Sequence, residues 1–195
     1  MRRCIVAALV ALSVSSLAHA TTVIAPSFEE LVAQADVVFE TEVFDTRARF
    51  DSDRDGSAIV TDVYFHVDKL LKGNSPSTVV LPFLGGEVGD VGYRVDGVPR
   101  FVRGDRDVLF ARTGRQLASP LVGLMHGRIR IAGSRGANQE FVQRFDRSPL
   151  REVAALGANA LQPALSPRPA MSLRAFESAI AGEVARQQAE RRERR

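Results

Sequence analysis

The chain has 195 residues, with 26 Lys and Arg against 23 Asp and Glu, one Cys, 45% hydrophobic and 25% charged residues. This balance excludes a collagen-like chain, a wholly disordered chain and a polytopic membrane protein. A single Cys excludes a disulfide framework and a multi-cysteine zinc site.

Met1-Arg2-Arg3 is a short basic start, Cys4 to Leu17 is an apolar run, and Ala18-His19-Ala20 is an A-x-A ending. A basic region, a short apolar region and a small-residue cleavage site define a secretory signal peptide, here over residues 1–20. The run is too short to span a bilayer, which takes about 20 apolar residues. Cleavage after Ala20 removes Arg2, Arg3 and Cys4. It leaves 175 residues, with 24 basic against 23 acidic side chains, a formal charge of +1 and no cysteine. The mature chain must hold together by its core alone, in a compartment where disulfides are allowed.

Ser27-Phe28-Glu29-Glu30 has the spacing of a helix capping box, and Phe28, Leu31, Val32 and Ala35 continue at helical spacing. A strand is predicted over Val37–Phe44, rich in β-branched and aromatic residues. Asp51 to Ser57 is a polar turn cluster. From Ile59 to Lys69 the apolar positions alternate. Ile59, Thr61, Val63, Phe65 and Val67 share one face, predicted to point to the core. Thr78–Leu84 reads as a strand whose Pro82 places it at an edge or a bulge. Tyr93–Val95 is predicted as one arm of a hairpin after the Gly85-Gly86 bend. Further strands are predicted at Asp107–Ala111, Leu121–Met125, Arg128–Ile131 and Glu140–Phe145. Residues 157–170 are Ala- and Pro-rich and read as linker. Ser172 then caps a helix with Leu173, Phe176, Ile180 and Val184 in one stripe and four arginines at its end.

Asp51, Asp53 and Asp55 before Gly56 match the start of an EF-hand loop, with Asp62 at the twelfth position. They are the calcium candidate, although the flanks read as strands and Asp and Gly also favour turns. The histidines left after cleavage, His66 and His126, lack a neighbouring ligand at metal-binding spacing. There is no G-x-S-x-G setting for a nucleophile. Gly85-Gly86-Glu87-Val88-Gly89 lacks a P-loop lysine and reads as a bend where backbones approach closely. The 24 arginines are scattered and nearly balanced by acids, which argues against nucleic acid as partner.

Residues 28–39 (FEELVAQADVVF), 63–73 (VYFHVDKLLKG) and 99–111 (PRFVRGDRDVLFA) resemble the helix, the K-G strand and the F-x-x-G block of netrin-like modules, which include the tissue inhibitors of metalloproteinases. Together with Leu84-Gly85-Gly86 and residues 120–127 (PLVGLMHG), they also resemble a group of bacterial secreted proteins of unknown function. The resemblance covers roughly residues 27–132 and implies an OB-type barrel. It does not imply metalloproteinase inhibition, which uses an N-terminal Cys that the mature chain lacks. Thr41 also stands where the family has a small residue.

The expected fold is therefore mainly β. A small OB-like antiparallel β-barrel fills residues 21–150, with a short N-terminal helix. A linker over 151–171 leads to a C-terminal helix over 172–195 with a basic end. The expected function is a periplasmic or secreted, non-enzymatic binding module. Its partner is a protein or a cell-envelope component, not nucleic acid. It has no transmembrane span after cleavage, and no cofactor is expected apart from calcium at the Asp51 loop. The alternative is a protease-modulating protein or an enzyme whose site forms from dispersed residues. N-terminal sequencing of the exported protein should read Thr21-Thr22-Val23-Ile24; an export product beginning at Met1 would refute the leader.

Overall fold

Ser27 starts the first helix, α1 (Phe28–Gln34), with the reciprocal bonds its spacing predicts: its Oγ accepts from the Glu30 N–H and its own N–H donates to the Glu30 carboxylate. Lys72 closes the other end, donating to the Val32 and Ala35 carbonyls at 2.5 and 2.6 Å. The computed structural model describes residues 24–52, 58–114, 118–135, 140–157 and 169–194. The leader over 1–20 and most of the expected linker, 158–168, lie outside the described residues.

Eight strands follow α1: β1 (Val37–Phe50), β2 (Ile59–Lys72), β3 (Thr78–Leu84), β4 (Gly86–Val88), β5 (Val91–Tyr93), β6 (Arg106–Ala111), β7 (Arg128–Ala132) and β8 (Phe141–Gln143). The chain ends in helix α2 (Leu173–Glu193). Six strands form one antiparallel sheet in the order β3-β2-β1-β6-β7-β8, and β4 and β5 form a separate hairpin. The fold is mainly β, as expected. The expected closed barrel is corrected to an open sheet, because among the described residues no ladder joins β3 to β8.

Two features keep the sheet open. Just past the end of β3 the Gly85 N–H points to Ile59 of β2, while the N–H of Leu84, the last β3 residue, points the other way, to the Ala118 carbonyl. Alternation then puts Pro82, two residues before Leu84, on the outward side. Its missing N–H costs the β2 ladder nothing and leaves the free edge without a donor at that position. At the far side, β8 is three residues long and is bridged by Pro149 and Ser172. The expected strand at Leu121–Met125 is a second correction. Leu121 makes one bridge to Ala111, and the chain then turns into a 3-10 turn over Leu124–Gly127. Gly123 sits at φ +63, and a side chain there would stand 2.7 Å from Pro26. A tertiary contact thus turns an apolar run away from strand geometry.

The sheet is apolar on both faces. On one face, Val38, Val108, Phe110 and Ile129 pack against Phe28, Leu31 and Val32 of α1 and against Phe176 and Ile180 of α2. On the other, Phe39, Val43, Val63, Phe65, Phe83 and Leu109 pack together with Phe101 and Leu121 from the loops. β6 feeds both clusters, which explains its unbroken V-L-F-A run. On β2, Ile59, Val63 and Phe65 are fully buried, as the alternation predicts, with Thr61 and Val67 half-buried. Val60, on the opposite face, is buried as well. The β1–β2 register shifts at Val38/Phe39, Glu40/Thr41 and Val43/Asp45. Bulges of this kind bend a strand and increase its twist.

The C-terminal helix belongs to the same core. Ser172 caps it, Leu173, Phe176 and Ile180 are buried, and Lys69 Nζ lies 2.7 Å from Glu177 on its flank. Phe176 meets both Phe28 and Phe110, with ring centroids 6.1 and 6.3 Å apart. Phe176→Ala should cost about 3–5 kcal/mol by emptying a fully enclosed site. Urea denaturation of the two proteins measures it; a loss below about 1 kcal/mol would mean that α2 is only loosely docked.

Candidate functional site

Gly85 and Gly86 end β3 and turn the chain back across the sheet. The Gly85 N–H donates to the Ile59 carbonyl at 2.7 Å, and the Thr61 hydroxyl donates to the Gly85 carbonyl at 2.7 Å. Gly86 has φ +139, and a Cβ there would lie 2.4 Å from Thr61 Oγ1. No other residue fits so tight a crossing. The bend predicted from sequence thus carries the β4–β5 hairpin, and the chain from Arg94 to Val102 returns beside it.

Between this returning chain and the sheet lies a cleft of about 450 Å³. Its floor is buried and apolar: Val63 of β2, Phe83 of β3 and Phe101. Phe101 lies 4.8 Å from Phe83 and meets Phe65 edge-on at 5.3 Å, centroid to centroid. The rim is exposed and mixed, with Tyr93, Val102, Glu87, Arg94 and Arg100. Tyr93 is 42% and Val102 63% exposed, so apolar surface continues out of the cleft into solvent. The volume falls in the range of small-ligand pockets, roughly 300–1,000 Å³.

One buried arginine fixes the wall that carries Phe101. Arg128 donates from Nε and Nη2 to the two Asp107 oxygens at 2.8 and 2.9 Å. Its Nη2 also reaches Asp105 at 2.8 Å, and Nη1 donates to the Arg100 carbonyl at 2.6 Å. The guanidinium lies over the Phe101 ring, 4.0 Å from its centroid. Arg130 binds the other Asp105 oxygen at 2.7 Å, and Asp105 accepts the Val102 N–H at 3.0 Å. Backbone groups at 100 and 102 and the ring at 101 are therefore all held from β6 and β7. Burial opposes the charge on Arg128, but Asp107 and Asp105 outweigh it and raise its pKa. Burial also pushes Asp105 up, and the Val102 N–H together with Arg128 and Arg130 more than reverse this and leave it below 3.8.

With this geometry in view, comparison with known proteins gives no relative: no family model, no curated protein and no solved structure matches the chain.

The residues singled out from sequence lie elsewhere. Asp51 opens the β1–β2 connection, its N–H donating to the Ala58 carbonyl at 2.8 Å. Asp62 lies within β2, opposite Arg47. Arg49 stands beside both, with Nε 2.6 Å from Asp62 and Nη1 3.9 Å from Asp51. A cation bound to both carboxylates would have to displace that guanidinium. Asp53 and Asp55 lie outside the described residues, and among the described residues no three His, Cys, Asp or Glu side chains are grouped to hold a metal. His66 is exposed and stacks on Phe44 at 4.3 Å. His126 lies edge-on to Phe145 at 5.1 Å, its pKa lowered by burial against the opposing pull of Asp146. Neither histidine lines the cleft.

The sequence reading missed the Arg128 network and the cleft rim. One signal was present: Asp107 heads an apolar run that reads as buried on both faces, and a carboxylate there demands a cation.

Arg128→Met should destabilise by about 3–5 kcal/mol, because it strands Asp107 without a partner. Asp105→Asn should cost about 2 kcal/mol at pH 7. Because the folded carboxyl titrates below 3.8, its contribution is complete above that pH and is lost as pH falls through the lower folded value. The gap between wild type and Asp105→Asn in urea denaturation should therefore close under strongly acidic conditions. A gap that stays constant with pH would show that Asp105 does not act through its charge.

Proposed function

We propose that the protein is a non-enzymatic extracytoplasmic binding module that holds an apolar group of a protein or cell-envelope partner in the cleft beside Phe101. The observation that carries this reading is the continuous apolar surface from the buried floor at Val63, Phe83 and Phe101 to the exposed Tyr93 and Val102. Exposed apolar surface rimmed by polar groups is typical of interaction sites. The rim is held before any ligand arrives, since Arg128 fixes the backbone at Arg100 and Asp105 fixes that at Val102. A preorganised rim spares a ligand the entropy of ordering it. The basic start, apolar run and A-x-A ending over residues 1–20 support a periplasmic or secreted location for this activity. Among the described residues no helix is long and apolar enough to cross a membrane.

The neutral dye N-phenyl-1-naphthylamine tests this reading, because it brightens when it leaves water for an apolar site. The exported protein should enhance its emission saturably. Val102→Asp, which puts a charge on the rim without touching the floor, should weaken the dye at least tenfold. No saturable enhancement, or enhancement unchanged in Val102→Asp, would refute the site.

A further inference from the structure

We propose that the ligand of this cleft is an amphiphile with one anionic head, a medium-chain acyl carboxylate whose tail lies on Phe83 and Phe101 and whose head meets Arg94. This inference rests on the binding reading above and adds the chemistry of the ligand.

Two observations select it. The first is that the sheet-side end of the wall, and the rim at 100 and 102, already use main-chain groups that a peptide would pair with. The Gly85 N–H and C=O are taken by Ile59 and Thr61, and the Leu84 N–H by Ala118. Gly86 pairs with Tyr93 in the hairpin. The Val95 carbonyl accepts the Val98 N–H, the Arg100 carbonyl accepts Arg128, and the Val102 N–H donates to Asp105. Pro99 has no N–H to offer. An extended peptide gains affinity by adding its main chain to unpaired strand groups, with side-chain pockets supplying specificity. Beside Gly85, Gly86, Arg100 and Val102 its own N–H and C=O groups would be desolvated against partners already engaged, and an unmatched buried amide is costly. An acyl chain carries no such groups.

The second is a charge left over. Among the described residues three charged side chains line the cleft: Glu87, Arg94 and Arg100. Arg100 Nη1 lies 3.9 Å from Glu87 Oε1. Among the described residues Arg94 has neither an ion pair nor a side-chain hydrogen bond, whereas Arg100 faces Glu87, so the described rim carries one guanidinium in excess. A guanidinium binds a carboxylate through two parallel hydrogen bonds. One unpaired cation beside an apolar floor matches a ligand with one anionic end and an uninterrupted hydrocarbon tail.

The test is competition against N-phenyl-1-naphthylamine on the exported protein, at low ionic strength and below micelle-forming concentrations. Dodecanoate should displace the dye at least ten times more effectively than 1-dodecanol, and dodecyltrimethylammonium should be the poorest of the three. From octanoate to dodecanoate, affinity should rise about threefold to fourfold per added methylene until the cleft is filled. Arg94→Gln should erase the preference for dodecanoate over dodecanol. Glu87→Gln, which frees Arg100, should enlarge it. Equal displacement by dodecanoate and dodecanol would overturn the inference and leave the binding reading standing. So would stronger displacement by an apolar peptide than by any acyl chain, or dye binding that no acyl chain relieves. Failure of the dye itself to bind would remove both readings together.

Discussion

Everything on the cleft side of the sheet depends on the buried Arg128. A charged side chain that is 3% exposed is tolerated only when its donors are matched. Here four of its five N–H groups reach two carboxylates and a main-chain carbonyl, and its face lies on an aromatic ring. The partners come from β6 and from the loop that precedes it, so the arginine of β7 ties the 100–105 loop, which is in no strand, to the paired strands β6 and β7. Its desolvation cost is offset only if all partners stay in place, which ties the position of Phe101 to the integrity of the sheet.

The sheet in turn depends on its irregularities. β1 is fourteen residues long and departs from simple register three times along β2. Phe44 is the extra residue at the last shift, where Val43 pairs with Phe65 and Asp45 with Tyr64. Beyond it the residues on the cleft face are Thr46 and Ala48, small enough to leave room under the hairpin. The bulge therefore decides which side chains of β1 meet the cleft. The Gly86 crossing decides how closely the hairpin approaches them.

Much of this architecture was legible from local pattern. The Ser27–Glu30 box, the alternation through Val63 and Phe65, the edge position of Pro82 and the Phe176–Ile180 stripe each depend on residues a few positions apart. What was not legible depends on distant partners. β1 continues past the expected end at Phe44 to Phe50 through the polar Asp45, Arg47 and Arg49, a stretch whose strand pairing is supplied by β2. Leu121–Met125 has strand composition, yet Pro26, nearly a hundred residues away, sets the turn at Gly123. The candidate site was the least legible, because its floor and rim come from Thr46 through Val102 and no short motif spans them. No spacing rule announces that Arg128 is buried, since R-I-R-I alternation is equally that of a strand with one solvated face.

Pro82 has a consequence beyond the strand it sits in. An open sheet presents a row of unpaired main-chain groups that a neighbouring molecule can extend into a larger sheet, the route to fibrillar assembly and strand exchange. On β3 the outward Pro82 offers a bulky ring where an incoming strand needs a donor, and its neighbour at that edge, Leu84, is already bonded to Ala118. The protein thus carries a built-in guard against sticking to itself.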